Sequence, residues 1–136
     1  MLRENPELKD KLVAEAKKAR ENAYVPYSDF AVGAAVLTAE GDVYRGCNVE
    51  NASLGLTNCA ERTALFSAVA NGEMEIEAIA VAADTPDPAS PCGSCRQVLV
   101  EFNPDMEVVM VNTGGEEKIT TAAELLPEYF TSDDMA

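Results

Sequence analysis

The chain has 136 residues, of which 47% are hydrophobic and 25% are charged, and this length and composition fit one soluble domain spanning residues 1–136. Its 24 acidic and 10 basic residues give a formal net charge of −14, which repels phosphate groups and argues against a nucleic-acid partner. No apolar run approaches the ~20 residues of a membrane span, and the first residues lack the apolar core of a signal peptide, so we expect a cytoplasmic protein without a membrane partner.

Cysteine and histidine usage narrows the possible chemistry. Four cysteines in an intracellular chain indicate metal or redox chemistry more often than a disulfide framework. The sequence contains no histidine, which removes the commonest general base and metal ligand. Any catalytic centre must therefore use cysteine, carboxylate or backbone groups.

The first part of the chain predicts a helix, a loop and a strand hairpin, in that order. Apolar residues recur at helical spacing over residues 5–23, and Asn5 suits the N-cap position. Pro26 opposes helix formation in the aromatic segment 24–30, which we expect to be a loop. The two strands of the hairpin are predicted at residues 31–38 and 43–49.

The rest of the chain alternates helices with apolar strands. The second helix is predicted at residues 59–70, and a buried strand follows at residues 76–83. The third helix is predicted at residues 90–102, with Ser90 as its N-cap and Pro91 as its first residue. Two more strands and a short helix are predicted at residues 106–111, 117–120 and 121–127. The segment Thr121-Ala122-Ala123-Glu124 has the form of a capping box, with Thr121 as the N-cap of the short helix.

This order of elements predicts an α/β fold in which helices cover a mixed five-stranded sheet. The turn after residue 111 is too short for a crossover connection, so the last two strands must be antiparallel neighbours. We find no internal repeat and no composition change that would mark a second domain.

Cys59, Cys92 and Cys95 lie at the starts of two predicted helices and form a candidate zinc site. Helix N-termini carry unpaired N–H groups and a partial positive charge, which favour thiolate over thiol. Cys92 and Cys95 are three residues apart, so their sulfurs share one helix face. Three protein ligands leave the fourth tetrahedral position of Zn²⁺ for water, which is the arrangement of catalytic zinc.

Glu61 and Arg62 follow Cys59 on the same helical turn. We expect the Glu61 carboxylate to lie beside the metal and to transfer a proton from water to the substrate. Three thiolates give the zinc complex a net charge of about −1, so Arg62 is the candidate to offset this charge by hydrogen bonds to the sulfurs. A cysteine followed by Glu two residues later, together with Pro-Cys-x-x-Cys, is typical of zinc deaminases.

On these residues the chain resembles the small cytidine deaminases, a class with a three-cysteine zinc site and a homotetrameric assembly. The likeness covers residues 24–130 and is carried by five motifs: Tyr27-Ser28-Asp29-Phe30, Asn48-Val49-Glu50-Asn51, Cys59-Ala60-Glu61-Arg62-Thr63, Ser90-Pro91-Cys92-Gly93-Ser94-Cys95-Arg96-Gln97 and Glu124-Leu125-Leu126-Pro127. The resemblance implies a three-layer α-β-α fold, one Zn²⁺ per subunit, and hydrolysis of cytidine or deoxycytidine to the uracil nucleoside and ammonia in pyrimidine salvage. One departure is Leu54, where many family members carry tyrosine.

The resemblance also implies substrate-binding residues outside the zinc motifs. Asn48 and Glu50 match the pair that hydrogen-bonds the ribose hydroxyl, and Phe30 matches the aromatic ring against the base. The backbone of Ala60 would contact the pyrimidine edge. Phe130 matches a tail aromatic that enters a neighbouring subunit's site, so the site would be complete only in the oligomer.

Other interpretations of the same residues stay open. A structural zinc protein would use Cys47 as a fourth ligand, although we expect Cys47 to be a buried, inert thiol. A thiol oxidoreductase would use Cys92 and Cys95 but would leave Cys59 and Glu61 without a role. A nucleic-acid editing deaminase commonly has a histidine ligand and a basic surface, and this chain has neither. A blasticidin-type deaminase has similar zinc ligands.

Overall fold

The computed structural model describes residues 1–135. Its α-helices are α1 (Pro6–Arg20), α2 (Ala60–Ala70), α3 (Gly93–Phe102) and α4 (Ala122–Leu125). Its strands are β1 (Val32–Thr38), β2 (Val43–Cys47), β3 (Ile76–Ala83), β4 (Glu107–Asn112) and β5 (Glu117–Thr121). Short 3₁₀ turns cover Leu2–Glu4, Leu54–Leu56 and Ser132–Met135. Over this range, no helix has the length and apolar character that crossing a membrane requires.

One mixed five-stranded sheet lies at the centre, with the strand order β2-β1-β3-β4-β5. β1 pairs antiparallel with both β2 and β3, and β4 pairs antiparallel with β5. β3 and β4 are parallel, because the segment that contains α3 supplies the long crossover that parallel neighbours need. The predicted mixed sheet and its antiparallel last pair are confirmed.

Helices cover both faces of the sheet. Successive strand residues point to opposite faces, and β1 divides its side chains accordingly. Ala35 and Leu37 belong to the buried cluster that α1 covers, whereas Ala34 and Val36 belong to the cluster built with α2 and α3. The structure therefore has the three layers, helix on sheet on helix, that the family resemblance implied.

Two glycines allow the helices to approach the sheet closely. A Cβ atom at Gly33 of β1 would lie 2.0 Å from the carbonyl oxygen of Ala16 in α1. A Cβ atom at Gly46 of β2 would lie 2.3 Å from the backbone nitrogen of Ala64 in α2. No side chain fits such gaps, so glycine is required at both positions. Because α2 begins beside the cysteines, Gly46 determines how close its first turn lies to the sheet.

The predicted N-caps of the first and last helices are confirmed. The side chain of Asn5 accepts a hydrogen bond from the backbone N–H of Leu8 at 3.3 Å. Thr121 accepts one from the backbone N–H of Glu124 at 3.2 Å, and its hydroxyl donates to the carboxylate of Glu124 at 3.0 Å. These local contacts are readable from sequence because cap and partner are three residues apart.

The predicted start of the third helix is wrong. α3 begins at Gly93 with Cys92 as its N-cap, two residues after the predicted start at Pro91. The Ser90 hydroxyl does not cap the helix, because it accepts a hydrogen bond from Arg96 Nη2 at 2.6 Å. Cys92 has extended backbone angles, φ −68° and ψ 167°, which keep it outside the helix.

Three other predicted elements end earlier than expected. The last helix ends at Leu125 rather than at residue 127, because Pro127 disfavours helical backbone angles at the residue before it. α1 ends at Arg20 rather than at residue 23, because residues 21–23 close it with tighter hydrogen bonds to carbonyls three residues back. β2 ends at Cys47 rather than at residue 49. The backbone N–H of Asn48 still donates to the carbonyl oxygen of Val32 at 3.2 Å, but Val49 then leaves β1 and forms isolated bridges with Tyr24 and Asn58.

Candidate active site

The cysteine motifs meet at the end of the sheet where β3 finishes and α2 and α3 begin. Cys59 and Cys92 are the N-caps of α2 and α3, and Cys95 lies in the first turn of α3. Neither N-cap sulfur accepts a capping hydrogen bond from its own helix, so both remain available as ligands. The two helix N-termini also direct their positive ends toward this point, which favours thiolates.

The three sulfurs have the spacing of zinc ligands. All three lie within 4.8 Å of one another, and the sulfurs of Cys59 and Cys92 are 3.9 Å apart. Tetrahedral zinc with Zn–S bonds of about 2.3 Å requires sulfurs about 3.8 Å apart. The donor set therefore fits one Zn²⁺. Across residues 1–135, Cys47 does not join this group, so a four-cysteine structural site is not formed.

Arg62 compensates part of the negative charge of the sulfurs. Its Nη2 donates a hydrogen bond to Cys59 Sγ at 3.2 Å. A hydrogen bond from Cys95, followed by the effect of Arg62, lowers the pKa of Cys59 to about 5. The same contact with Cys59, together with burial, raises the pKa of Cys95. Zinc binds cysteine as thiolate, so a metal ion held by these three sulfurs would require all of them to be deprotonated.

Glu61 is a buried carboxylate beside these sulfurs. It lies in the first turn of α2 with only 5% of its surface exposed, and it lines a cavity. Burial raises the pKa of its carboxyl, and the negative charge on Cys59 raises it further. A carboxyl with a raised pKa is suited to accept and return a proton close to neutral pH.

A cavity of about 260 Å³ opens beside the cysteines. Six of the residues predicted for the site line it, namely Phe30, Asn48, Cys59, Ala60, Glu61 and Cys92. A second cavity of the same volume lies at the opposite end of the sheet, where Thr38 and Glu73 contribute to its wall. Volume does not distinguish the two cavities, but only the first contains cysteine ligands and a buried carboxylate.

Four predicted residues lie outside the lining of this cavity. Cys95 is fully buried next to Cys59, and Arg62 reaches Cys59 without lining the cavity. Glu50 is bonded to the loop that carries Phe30. Phe130 is 57% exposed, and only its backbone is held, through a hydrogen bond from Gln97 at 2.8 Å. Leu54, at the departure from the family pattern, is 71% exposed and does not line the cavity.

Polar residues that the sequence analysis did not assign also belong to this site. Thr57, Thr85 and Ser90 add hydroxyl groups to the cavity wall. Ser28 joins Glu50 to the loop backbone. Ser28 and Ser90 belong to motifs that carry the family resemblance, and this position could have marked both serines as site residues. Thr57 and Thr85 carry no such signal, because only the fold brings their loops together.

Arg96 connects the metal-binding loop to the C-terminal segment. Its Nε donates to the carbonyl oxygen of Pro91 at 2.8 Å, and its Nη1 donates to that of Leu125 at 2.8 Å. Together with the contact to Ser90, these bonds fix the two residues before Cys92. Arg96 belongs to the motif of residues 90–97, but its residue type alone indicates no role for it.

Known proteins are similar to this chain in sequence and in fold. The model of the cytidine and deoxycytidylate deaminase zinc-binding region matches residues 6–112. The cytidine deaminase of Sporosarcina psychrophila is 55% identical to this chain, over 93% of this chain and 94% of that protein. The cytidine deaminase of Halalkalibacterium halodurans is 57% identical, over 91% of this chain and 95% of that protein. The crystal structure of cytidine deaminase from Burkholderia pseudomallei matches with a TM-score of 0.87 at 56% identity, covering 89% of this chain and 98% of that one. The zinc-binding region and the three-cysteine cluster agree on one Zn²⁺ as the cofactor.

Proposed function

The chain belongs to the cytidine and deoxycytidylate deaminase zinc-binding family, and we propose that it hydrolyses cytidine and deoxycytidine to uridine and deoxyuridine with release of ammonia. One observation carries this proposal. A cluster of three cysteine sulfurs with zinc spacing lies at a cavity of about 260 Å³, which Cys59, Cys92 and the buried Glu61 line. The cytidine deaminases at 55% and 57% identity support the same substrate class.

We assign Cys59, Cys92 and Cys95 as the zinc ligands. Zn²⁺ bound there supplies the Lewis acidity that makes water a nucleophile near neutral pH. Arg62 stabilises the thiolate form of Cys59 through its hydrogen bond of 3.2 Å and reduces the net negative charge around the metal.

We assign Glu61 as the group that moves protons. Attack of water on C4 of the cytosine ring places oxygen where the amino group leaves. Glu61 first accepts a proton from the attacking water and gives it to the ring nitrogen N3. It then transfers the second proton of that water to the departing amino group, which leaves as ammonia. Burial raises the pKa of Glu61, and this keeps both transfers close in energy at neutral pH.

Phe30, Asn48, Glu50 and Ala60 are proposed to bind the nucleoside. Phe30 supplies an aromatic surface for the base, and the backbone of Ala60 lies at the same cavity wall. Asn48 and Glu50 follow β2 and supply polar groups for the sugar. The net charge of −14 disfavours phosphorylated substrates and nucleic acid, which supports a free nucleoside.

We also propose that residues 1–136 form one domain and that four copies assemble into a homotetramer with shared sites. In this assembly Phe130 of one subunit enters a neighbour's site. Its ring is 57% exposed in the single chain, and Leu54 and Leu56 are 71% and 70% exposed, so association would bury apolar surface. A cytoplasmic location is proposed because the cysteine ligands require a reducing compartment.

The direct test is the loss of cytidine absorbance after addition of purified protein whose zinc content has been measured. Deoxycytidine, CMP and blasticidin S are assayed in parallel. We expect turnover of both nucleosides and none of CMP. Zinc-loaded protein that leaves both nucleosides unchanged would overturn the proposal, and turnover of blasticidin S alone would assign the blasticidin-type activity instead.

A further inference from the structure

Two side chains that follow β2 hold the loop that carries Phe30. The Asn48 side chain donates to the carbonyl oxygen of Phe30 at 2.8 Å and accepts from the backbone N–H of Val32 at 2.9 Å. Glu50 Oε1 accepts from the backbone N–H groups of Tyr27 at 3.0 Å and Ser28 at 3.1 Å. The residues proposed for the sugar and the aromatic proposed for the base are therefore parts of one hydrogen-bonded unit.

Ser28 is the link inside this unit. Its hydroxyl donates to Glu50 Oε2 and accepts from the backbone N–H of Phe30 at 3.0 Å. The residue between them, Asp29, has φ +56°, the left-handed region that few residues other than glycine adopt. This bend brings the N–H of Phe30 back onto the Ser28 hydroxyl. One side chain thus bonds both the carboxylate of Glu50 and the backbone of Phe30.

We propose that Ser28 is a positioning residue for sugar recognition, which orients the Glu50 carboxylate toward one hydroxyl of the nucleoside while it fixes Phe30. This inference rests on the proposed nucleoside deaminase function. It assigns to Ser28 a role in substrate affinity and none in the chemical step, because Ser28 lines neither the cavity nor the metal cluster.

The number of acceptor sites on Glu50 explains why its orientation matters. An ionised carboxylate offers about four lone-pair sites. Three of them are occupied, two on Oε1 by backbone N–H groups and one on Oε2 by Ser28. One site on Oε2 remains for a sugar hydroxyl, and the Ser28 hydrogen bond determines its direction. The same hydrogen bond is the main reason that the pKa of Glu50 is lowered, so Glu50 stays an anionic acceptor.

A role limited to loop stability would affect all substrates equally, whereas a role through Glu50 affects one hydroxyl. The test measures kcat and KM of wild type, Ser28→Ala, Ser28→Thr, Glu50→Gln and the double variant Ser28→Ala/Glu50→Gln. The substrates are cytidine and its 2′-deoxy, 3′-deoxy and 5′-deoxy analogues. Zinc content is measured for each variant, and all are expected to hold the same amount of metal.

We expect Ser28→Ala to raise KM for cytidine about 10-fold to 100-fold with kcat within about 3-fold, the range set by losing a hydrogen bond to a charged group. Ser28→Thr keeps the hydroxyl and should restore KM. The increase should be clearly smallest for the single analogue that lacks the hydroxyl bound by Glu50, and what remains there reports the effect of Ser28 on Phe30. The double variant should be no worse than Glu50→Gln alone, because both changes remove the same interaction.

Equal KM increases for all four nucleosides, failure of Ser28→Thr to restore KM, a fall confined to kcat, or additive effects in the double variant would each overturn the inference. Should Ser28→Ala not accumulate as folded protein, Ser28→Cys keeps the size, weakens the hydrogen bond and serves the same test. Zinc-loaded wild type that does not deaminate cytidine would contradict the proposed function itself, whatever the Ser28 variants do.

Discussion

The guanidinium of Arg62 donates a hydrogen bond of 3.2 Å to the sulfur of Cys59, three residues earlier on the same helical turn. This contact provides a charge partner for a sulfur cluster in a chain without histidine. It is also local, because residues three apart on a helix lie on one face. The N-cap and first turn of α2 thus carry a proposed ligand, the proposed proton carrier and the proposed charge partner within four consecutive residues.

Arg62→Gln is expected to raise the pKa of Cys59 in the metal-free protein. The pKa should rise because the Arg62 cation favours the thiolate form of Cys59. With Arg62 in place, the pKa of Cys59 is about 5. The measurement is the rate of iodoacetamide alkylation of Cys59 against pH, together with the rate of zinc loss to a chelator. Arg45→Gln, which changes an exposed arginine paired with Glu15, serves as control and should match wild type. An unchanged Cys59 profile would contradict the charge-partner role.

Glu61→Gln should keep one zinc per chain and lose turnover. The cysteine ligands remain, but the amide cannot accept and return a proton, so we expect kcat to fall about 10²-fold to 10⁴-fold. Metal analysis and the cytidine assay measure the two effects. Glu101→Gln, at an exposed carboxylate on α3, should leave both unchanged. A Glu61→Gln enzyme with near-normal kcat would refute the proton-transfer role.

Cys47→Ser should hold as much zinc as wild type, whereas Cys59→Ser and Cys92→Ser should lose most of it. The reason is geometric, since the Cys47 thiol is outside the group of sulfurs that lie within 4.8 Å of one another. Zinc is measured after dialysis against a weak chelator. Zinc loss from Cys47→Ser would instead support a structural zinc site in which Cys47 is the fourth ligand.

Gly46→Ala should weaken both folding and catalysis. Its new Cβ would lie 2.3 Å from the backbone nitrogen of Ala64, so α2 must move away from the sheet and carry Glu61 with it. We expect a loss of about 1–3 kcal/mol in the free energy of unfolding, measured with denaturant, and a lower kcat/KM. Gly55→Ala is the matched control, because a Cβ there meets no atom within 4 Å. Equal behaviour of the two variants would show that the close approach does not matter.

Stability in alkali should depend on Tyr44. Its hydroxyl donates to Glu73, and this hydrogen bond raises the pKa of Tyr44 from its ordinary value of 10 to about 12. A raised folded-state pKa stabilises the fold fully below pH 10, and this contribution is lost as the pH rises from 10 to 12. Tyr44→Phe should therefore lower Tm at pH 8 and show a smaller further drop between pH 10 and 12. If the Tm of wild type and of Tyr44→Phe fell in parallel between pH 10 and 12, the proposed contribution of Tyr44 to stability would be contradicted.

The secondary structure was largely predictable because its signals are local. The N-cap role of Asn5, the capping box at Thr121 and the apolar runs of β1, β3 and β4 depend on neighbours within a few residues. The start of α3 was misplaced for the opposite reason. Ser90 has the residue type of an N-cap, but its hydroxyl is bonded by Arg96, which lies six residues later in α3.

The candidate site was likewise predictable only in part. The types and spacing of Cys59, Glu61, Cys92 and Cys95 indicated zinc chemistry, because ligand identity and helical position are properties of the chain itself. The 3.9 Å between the sulfurs of Cys59 and Cys92 and the inclusion of Thr57 and Thr85 in the cavity wall depended on how the sheet packs. The coupling of Glu50 to Phe30 through Ser28 spans 22 residues, and no local pattern specifies it.

Sequence by itself determined the chemistry of this protein: an all-sulfur donor set without histidine, a carboxylate two residues after Cys59, and an acidic chain unsuited to nucleic acid. Tertiary structure alone decided which groups are buried, which cysteine stays outside the cluster, and which side chains hold the loop at the cavity. The physical reason is that a pKa or a hydrogen-bond partner depends on three-dimensional surroundings, and the packing of α2 and α3 on the sheet creates those surroundings.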